Sequence, residues 1–246
     1  MKLRRFFVGL TLASGLLAAT TQIHAMDVEF AFRWDPSVGG PPSASAVKAQ
    51  LAPNGKVDDE DHFKIRYATD AKSPANLTVT KTILRTRLRT NKLRHELTYK
   101  VRNDSPLPPA PSFEGSACPA GEATEEPKTE IDITFNAQDV ARAYSRSCTV
   151  ESKSKAPPVP EALNAHFAPC ESSMTRLTIK RKNRPDLKIE EWTLPGNRRA
   201  IEVSQAGEDS PQAIGAFRKK VVSPLAKKGA IALPDTKTEL GSQCGG

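Results

Sequence analysis

The chain has 246 residues and a formal net charge of +8, from 36 Lys and Arg against 28 Asp and Glu. Its first 25 residues hold three of the basic residues and no acid, so the remainder carries +5, too little by itself to indicate nucleic-acid binding. Twenty prolines and fourteen glycines argue against an all-helical bundle. Length allows one large domain or two small ones.

The first 25 residues have the pattern of a secretory signal peptide. Lys2, Arg4 and Arg5 precede an apolar stretch at 6–19, and Ala25 is a small residue at a suitable cleavage point. A short membrane anchor is the weaker alternative, because the apolar stretch is short for a span. We therefore predict a secreted or periplasmic protein after cleavage near Ala25, with no membrane span in the mature chain.

All four cysteines follow this leader, at Cys118, Cys148, Cys170 and Cys244. An even number in an exported chain predicts two disulfides, and the sequence leaves every pairing open. A zinc site is the weaker alternative, because no C-x-x-C pair occurs and the histidines show no ligand spacing to a cysteine.

Alternation of apolar and charged residues predicts that much of the chain forms strands. In a hairpin predicted over 77–101, with its turn near Asn91, one face carries Arg85, Arg87 and Arg89. A surface hairpin with a solvated basic face is the alternative interpretation. Further strands are predicted at 26–34, 63–67, 129–135, 174–182, 187–194 and 200–204.

Helices are predicted where capping residues precede an apolar stripe. Asn136 is a candidate cap for a helix over 136–147, and Ser210 for a helix that ends near Gly229. Pro224 should kink or divide the latter helix. The tail at 231–246 is predicted to be polar and loose, except where Cys244 tethers it.

Each predicted strand has one apolar face and one face of mixed acids and bases. In a sandwich such polar faces meet solvent, whereas in a closed barrel they line an internal channel. The apolar outer faces of a barrel would need covering, and the amphipathic helices could cover them.

The order of the charged motifs resembles that of the CYTH, or triphosphate tunnel metalloenzyme, superfamily. The matching segments are D-V-E-F-A at 27–31, R-Y-A-T-D at 66–70, L-R-T-R at 84–87, E-L-T-Y-K at 96–100, I-K-R-K at 179–182, I-E-E-W at 189–192 and I-E-V at 201–203. The resemblance covers roughly 27–229 and implies an α+β fold, an antiparallel eight-stranded tunnel-type β-barrel with a few flanking helices. We therefore predict a signal peptide at 1–25, a single barrel domain at 26–230 and a C-terminal tail at 231–246.

Members of that family hydrolyse or cyclise triphosphate compounds with Mg²⁺ or Mn²⁺, so the resemblance implies a metal-dependent hydrolase of triphosphate, polyphosphate or a nucleoside triphosphate. Basic side chains neutralise and orient phosphate oxygens, and carboxylates hold hard divalent ions. The resemblance implies that phosphate is bound by Arg85, Arg87, Lys100 and Lys180. It implies that the metal is bound by Glu29, Glu130, Asp132, Glu190 and Glu202.

Three positions depart from the family pattern and put catalysis in doubt. Ala31 stands where the first motif has lysine, Asp27 replaces its first glutamate, and Ser204 stands where a second acid is expected after Glu202. Two alternatives therefore remain, a non-catalytic anion- or polyphosphate-binding protein on the same barrel and a structural or interaction protein. We expect a small polyanionic ligand and no nucleic acid, and the sequence leaves the oligomeric state open.

Overall fold

The computed structural model describes residues 26–68, 70–73, 79–107, 118–122, 124 and 127–244, so the predicted signal peptide lies outside the described residues. Within these ranges nine strands close into a single barrel. The strands are β1 (Asp27–Trp34), β2 (Lys56–Ala68), β3 (Lys81–Arg89), β4 (Arg94–Asn103), β5 (Lys128–Phe135), β6 (Val140–Ser152), β7 (Ser172–Lys180), β8 (Leu187–Thr193) and β9 (Arg199–Gly207).

Around the barrel the strands follow the order β1-β5-β6-β4-β3-β2-β7-β8-β9. Neighbours are antiparallel except β1 and β5, which pair in parallel. The closed α+β barrel expected from the sequence is confirmed, with two differences. It has nine strands instead of eight, and it is mixed instead of wholly antiparallel.

The helix predicted at 136–147 is wrong, because most of this segment belongs to strand β6. Residues 136–139 form a turn, closed by a hydrogen bond from the Asn136 amide to the Asp139 carbonyl. Strand β6 then pairs with β5 on one side and β4 on the other. The ladder with β5 covers residues 140–147 and the ladder with β4 covers residues 144–152, and this tertiary pairing outweighs the local helical pattern.

Few helices accompany the barrel. They are α1 (Ala44–Leu51), α2 (Pro211–Phe217), α3 (Ser223–Ala226) and α4 (Lys237–Ser242), and a π-helical turn, Arg218–Val222, joins α2 to α3. The π-turn ends two residues before Pro224, whose missing N–H interrupts regular α-helical bonding. None of the described helices is long and apolar enough to cross a membrane.

On most strands the apolar face points outward and is covered. Strand β2 is the exception, because Phe63, Ile65 and Tyr67 are direct partners of tunnel-lining arginines on β3 and the charged residues between them are exposed outside. On one side, Phe217 of α2 lies against Phe30 and Phe135, with ring centroids 5.4 and 4.7 Å away. On another side, the segment that holds Cys118 packs over strands β4 and β6, to which the Cys118–Cys148 disulfide ties it. Because the apolar faces of the other strands are buried outside, their alternating charged faces are directed into the barrel.

The C-terminal segment 231–244, here called the C-terminal plug, closes one end of the barrel. Thr236 and Glu239 form a capping box at the start of α4, and Leu240 is buried in an apolar cluster that includes Phe63. Gly241 lies so close to Tyr67 that an added Cβ would stand 2.6 Å from the tyrosine ring. The tail is therefore packed, whereas the sequence predicted it to be loose.

Both predicted disulfides are present, as Cys118–Cys148 and Cys170–Cys244. The second pair joins the loop before β7 to the end of the plug. It thereby holds α4 against the barrel.

Replacing Cys170 and Cys244 together by serine should lower the free energy of unfolding by about 2–4 kcal/mol, because the disulfide closes a loop across a sequence separation of 74 residues. Urea denaturation under non-reducing conditions measures this change. The plug should also become sensitive to limited proteolysis, whereas replacing Cys118 and Cys148 should leave the plug protected. An unchanged urea midpoint in the first double variant would contradict the clamping role.

Candidate functional site

A cavity of about 780 Å³ occupies the interior of the barrel and is called the tunnel below. Alternate residues of the strands line it, together with residues 233–239 of the plug. Lysine and arginine outnumber aspartate and glutamate among these residues. The tunnel is therefore a basic cavity enclosed by protein, where charges interact more strongly than on an open surface.

The inner faces of β3 and β4 form the Arg-rich wall of the tunnel. Arg87 donates from Nε to Glu96 Oε2 at 2.7 Å, and Arg89 reaches Oε1 of the same carboxylate at 3.4 Å. Both guanidinium groups stand 5.3 Å from the centroid of the Phe63 ring. Burial and the neighbouring charge of Arg85 lower the pKa of Arg87 to about 10. The wall is thus short of negative charge.

Arg85 is the least compensated cation of this wall. Its Nη2 donates to Thr98 Oγ1 at 3.4 Å, a long hydrogen bond to a neutral group. Its Nε is buried without a hydrogen-bond partner, and none of the described carboxylates lies within salt-bridge distance. A buried guanidinium donor without an acceptor is costly, so this position favours an anionic ligand.

Further along the same wall, Asp132 holds two cations. Its Oδ2 lies 3.2 Å from Lys100 Nζ and 2.6 Å from Arg102 Nη2, and Glu130 lies 3.5 Å from the same lysine. Burial alone would raise the pKa of Asp132, but the charges of Lys100 and Arg102 outweigh it and lower the pKa to about 2. This carboxylate stays ionised, and its Oδ2 is shared by the two cations.

The opposite wall carries a row of paired charges, called the ion row below. Arg176, Glu190, Glu202 and Arg33 occupy directly facing positions on β7, β8, β9 and β1. Arg176 Nη2 donates to Glu190 Oε1 at 2.7 Å, and Arg33 Nε donates to Glu202 Oε2 at 2.9 Å. Each glutamate is therefore flanked by an arginine on the outer side of the row.

Lys237 of the plug enters the space between the two glutamates. Its Nζ lies 2.8 Å from Glu190 Oε2 and 2.6 Å from Glu202 Oε1, and 5.5 Å from the centroid of the Trp192 ring. Burial would lower the pKa of Lys237, but the two carboxylates raise it well above its usual value. Burial likewise opposes ionisation of the glutamates, yet Lys237 and the flanking arginines keep both pKa values low. All members of this cluster are charged.

The structure brings most of the predicted site residues together. Tunnel-lining phosphate candidates are Arg85, Arg87 and Lys100, and tunnel-lining metal candidates are Glu29, Glu130, Asp132, Glu190 and Glu202. Lys180 does not reach the tunnel, because β7 ends there and its exposed ammonium pairs with Asp58 at 3.0 Å. Lys237 was missed, and its only sequence signals were the Thr236–Glu239 capping pattern and the nearby Cys244.

The acids of the tunnel do not fit a Mg²⁺ or Mn²⁺ ion. Glu190 and Glu202 accept hydrogen bonds from basic side chains at both of their oxygens, and Oδ2 of Asp132 is shared by Lys100 and Arg102. Glu29 accepts from Ser204 at 2.9 Å. In the part of the chain that the structure describes, no group of three or more His, Cys, Asp or Glu side chains is arranged to hold a metal ion.

No protein-family model matches the chain, and no curated protein matches it. Similar solved structures include a conserved hypothetical protein from Pyrococcus furiosus, with 11% identity and a TM-score of 0.45, over 86% of this chain and 99% of that one. A Hippeastrum protein described as having a dominant triphosphatase activity has 12% identity and a TM-score of 0.48, over 87% and 94%. A candidate adenylate cyclase from Bacillus halodurans has 11% identity and a TM-score of 0.44, over 87% and 96%.

At these identities and TM-scores the likenesses establish neither a family nor a function for this chain. The closed barrel expected from the sequence is confirmed by the strand pairing itself, and charged residues line its interior. The carboxylates of the site are paired with basic residues of this chain.

Asp132 should make stability depend on pH in acid. Its folded pKa of about 2 lies below the ordinary aspartate pKa of 3.8, so its stabilisation is present above about pH 4 and is lost as pH falls toward 2. Asp132→Asn should cost about 2 kcal/mol of unfolding free energy at neutral pH, and the difference from the wild type should shrink toward pH 2. Urea titrations at several pH values measure it, with Asp186→Asn, outside the tunnel, as the control. A pH-independent difference would contradict the assignment.

Proposed function

We propose that this chain is an exported protein whose tunnel binds a compact polyanion of the polyphosphate or triphosphate class without hydrolysing it. The observation that carries the proposal is Arg85, a half-buried residue that lines the tunnel, whose Nε is buried without an acceptor and which has no carboxylate partner among the described residues. The other basic side chains of the Arg-rich wall add positive charge near Arg85, which also favours an anion there.

The tunnel suits such a ligand in charge and in size. Phosphate oxygens accept charge-assisted hydrogen bonds from guanidinium groups, and a chain of phosphates could contact several cations of the Arg-rich wall at once. A volume of about 780 Å³ falls within the usual range for small-molecule sites. A bound polyanion would also relieve the repulsion between Arg85 and Arg87, which lowers the pKa of Arg87.

Metal-dependent hydrolysis, which the sequence resemblance implies, is favoured less. A catalytic metal needs carboxylate oxygens with unused lone pairs, but the carboxylates of Asp132, Glu190 and Glu202 are engaged by basic residues. Ala31 lines the tunnel where the family motif has lysine. Binding without turnover requires none of these missing groups.

Export is supported by the leader pattern and by the cysteines. Residues 1–25 have the charge and hydropathy pattern of a signal peptide. The four cysteines pair as two disulfides, which persist mainly in oxidising compartments such as the periplasm or the extracellular space.

Isothermal titration calorimetry with tripolyphosphate should show binding by the wild type and at least about tenfold weaker binding by Arg85→Gln, because one charge-assisted contact is lost. Lys180→Gln removes the same charge from outside the tunnel and should bind like the wild type. Equal weakening by both variants would indicate general surface attraction and would count against the tunnel. Release of phosphate from tripolyphosphate or ATP with Mg²⁺ or Mn²⁺ would show that the protein is an enzyme instead.

A further inference from the structure

We infer that Lys237 takes the place of a divalent metal ion in the tunnel, as a cation that the chain itself supplies to bridge Glu190 and Glu202 to the bound polyanion. This inference rests on the proposed function and adds that binding is independent of metal ions.

The position of Lys237 is the one that a bridging cation would need. Glu190 and Glu202 face each other across β8 and β9, and the ammonium lies within 2.8 Å of an oxygen from each. These two hydrogen bonds use two of its three N–H groups. Lys237 also lines the tunnel, so the third N–H group is left for a ligand oxygen.

The net charge of the ion row together with Lys237 is positive because of Lys237. Arg176 and Arg33 each neutralise one glutamate. Without Lys237 these four residues would be formally neutral, and with it they carry one excess positive charge. The lysine thus contributes the positive charge that a polyanion requires and that a metal ion would otherwise bring.

The plug holds this lysine in place before any ligand arrives. Lys237 is the first residue of α4, which begins with the Thr236–Glu239 capping box. Glu239 also pairs with Lys81 at 3.0 Å, and Arg198 donates to the Leu240 carbonyl at 2.9 Å. The Cys170–Cys244 disulfide fixes the end of the segment. A preorganised cation binds its partner at a lower entropic cost than a mobile one.

The test compares tripolyphosphate binding in EDTA and in Mn²⁺ by calorimetry. The wild type should bind in EDTA, and Lys237→Met should bind at least about tenfold more weakly there. Mn²⁺ should strengthen binding by the variant, because the space between the glutamates is then open to a cation. It should not strengthen binding by the wild type. Lys180→Met, outside the tunnel, should behave like the wild type in both buffers.

The single variant leaves two buried carboxylates without their shared cation and could fail to fold. Lys237→Met combined with Glu202→Gln replaces a buried lysine and a buried glutamate by neutral groups of similar size. It keeps the formal charge of the cluster at +1, with the excess charge now on Arg33, which still donates to the Asp235 carbonyl. This double variant should melt at a higher temperature than Lys237→Met, because it leaves one fewer carboxylate without the shared cation. It should bind tripolyphosphate weakly in EDTA, because the ammonium that contacts the ligand is gone although the net charge is kept, and it should gain nothing from Mn²⁺.

The possible results test the proposed function and the role of Lys237 separately. No binding by the wild type in either buffer would overturn the proposed function. Binding by the wild type only with Mn²⁺ would leave that function standing and overturn the role of Lys237. The same role would be overturned if a folded Lys237→Met variant, or the folded double variant, bound in EDTA as tightly as the wild type.

Discussion

The structure depends on the pairing of carboxylates that are buried inside a closed barrel. Glu190 and Glu202 are almost fully buried, and an unpaired charge at either position would be strongly destabilising. Arg176 and Arg33 satisfy them from neighbouring strands, but both glutamates keep a further oxygen toward each other. Lys237 fills that position, which explains why a short polar tail packs into the barrel and is fastened by a disulfide.

The requirement that buried carboxylates be paired with cations is met differently at the ion row and on the Arg-rich wall of the tunnel. Around the ion row every described carboxylate is held between two or more cations, so this side is rigid. On the Arg-rich wall Glu96 serves both Arg87 and Arg89, and Asp61 lies 3.8 Å from Arg89, while Arg85 has no described carboxylate within reach. The Phe63 ring lies 5.3 Å from the guanidinium groups of Arg87 and Arg89. The first side maintains the barrel and offers a ligand only the remaining N–H of Lys237, whereas the second leaves several donors for it.

Period-two alternation predicted most of the strands and placed Arg85 and Arg87 on one face, because the pattern reflects which face is buried. The closed barrel was expected only from the family resemblance, because alternation fits a sandwich equally well. Alternation did not identify the strand where a helical period of 3.6 and a strand period of two both fit the same residues, as in the segment that forms β6. It also failed at Lys180, which continues the pattern at the barrel rim, where no tunnel wall remains. Lys237 could not be predicted, because its position depends on a disulfide pairing that the sequence leaves open.

Two of the positions at which the sequence departs from the pattern that it resembles face each other in the structure. Ala31 stands in place of a lysine and Ser204 in place of an acid, and these residues are direct partners across β1 and β9. Facing residues on paired strands interact most strongly, so losing one charge alone would leave its partner buried and unpaired. With both absent, Ser204 instead donates to Glu29 at 2.9 Å and no buried charge is orphaned there. This pair of facing positions therefore places no unpaired charge inside the barrel, and the cation that bridges Glu190 and Glu202 comes from the C-terminal plug.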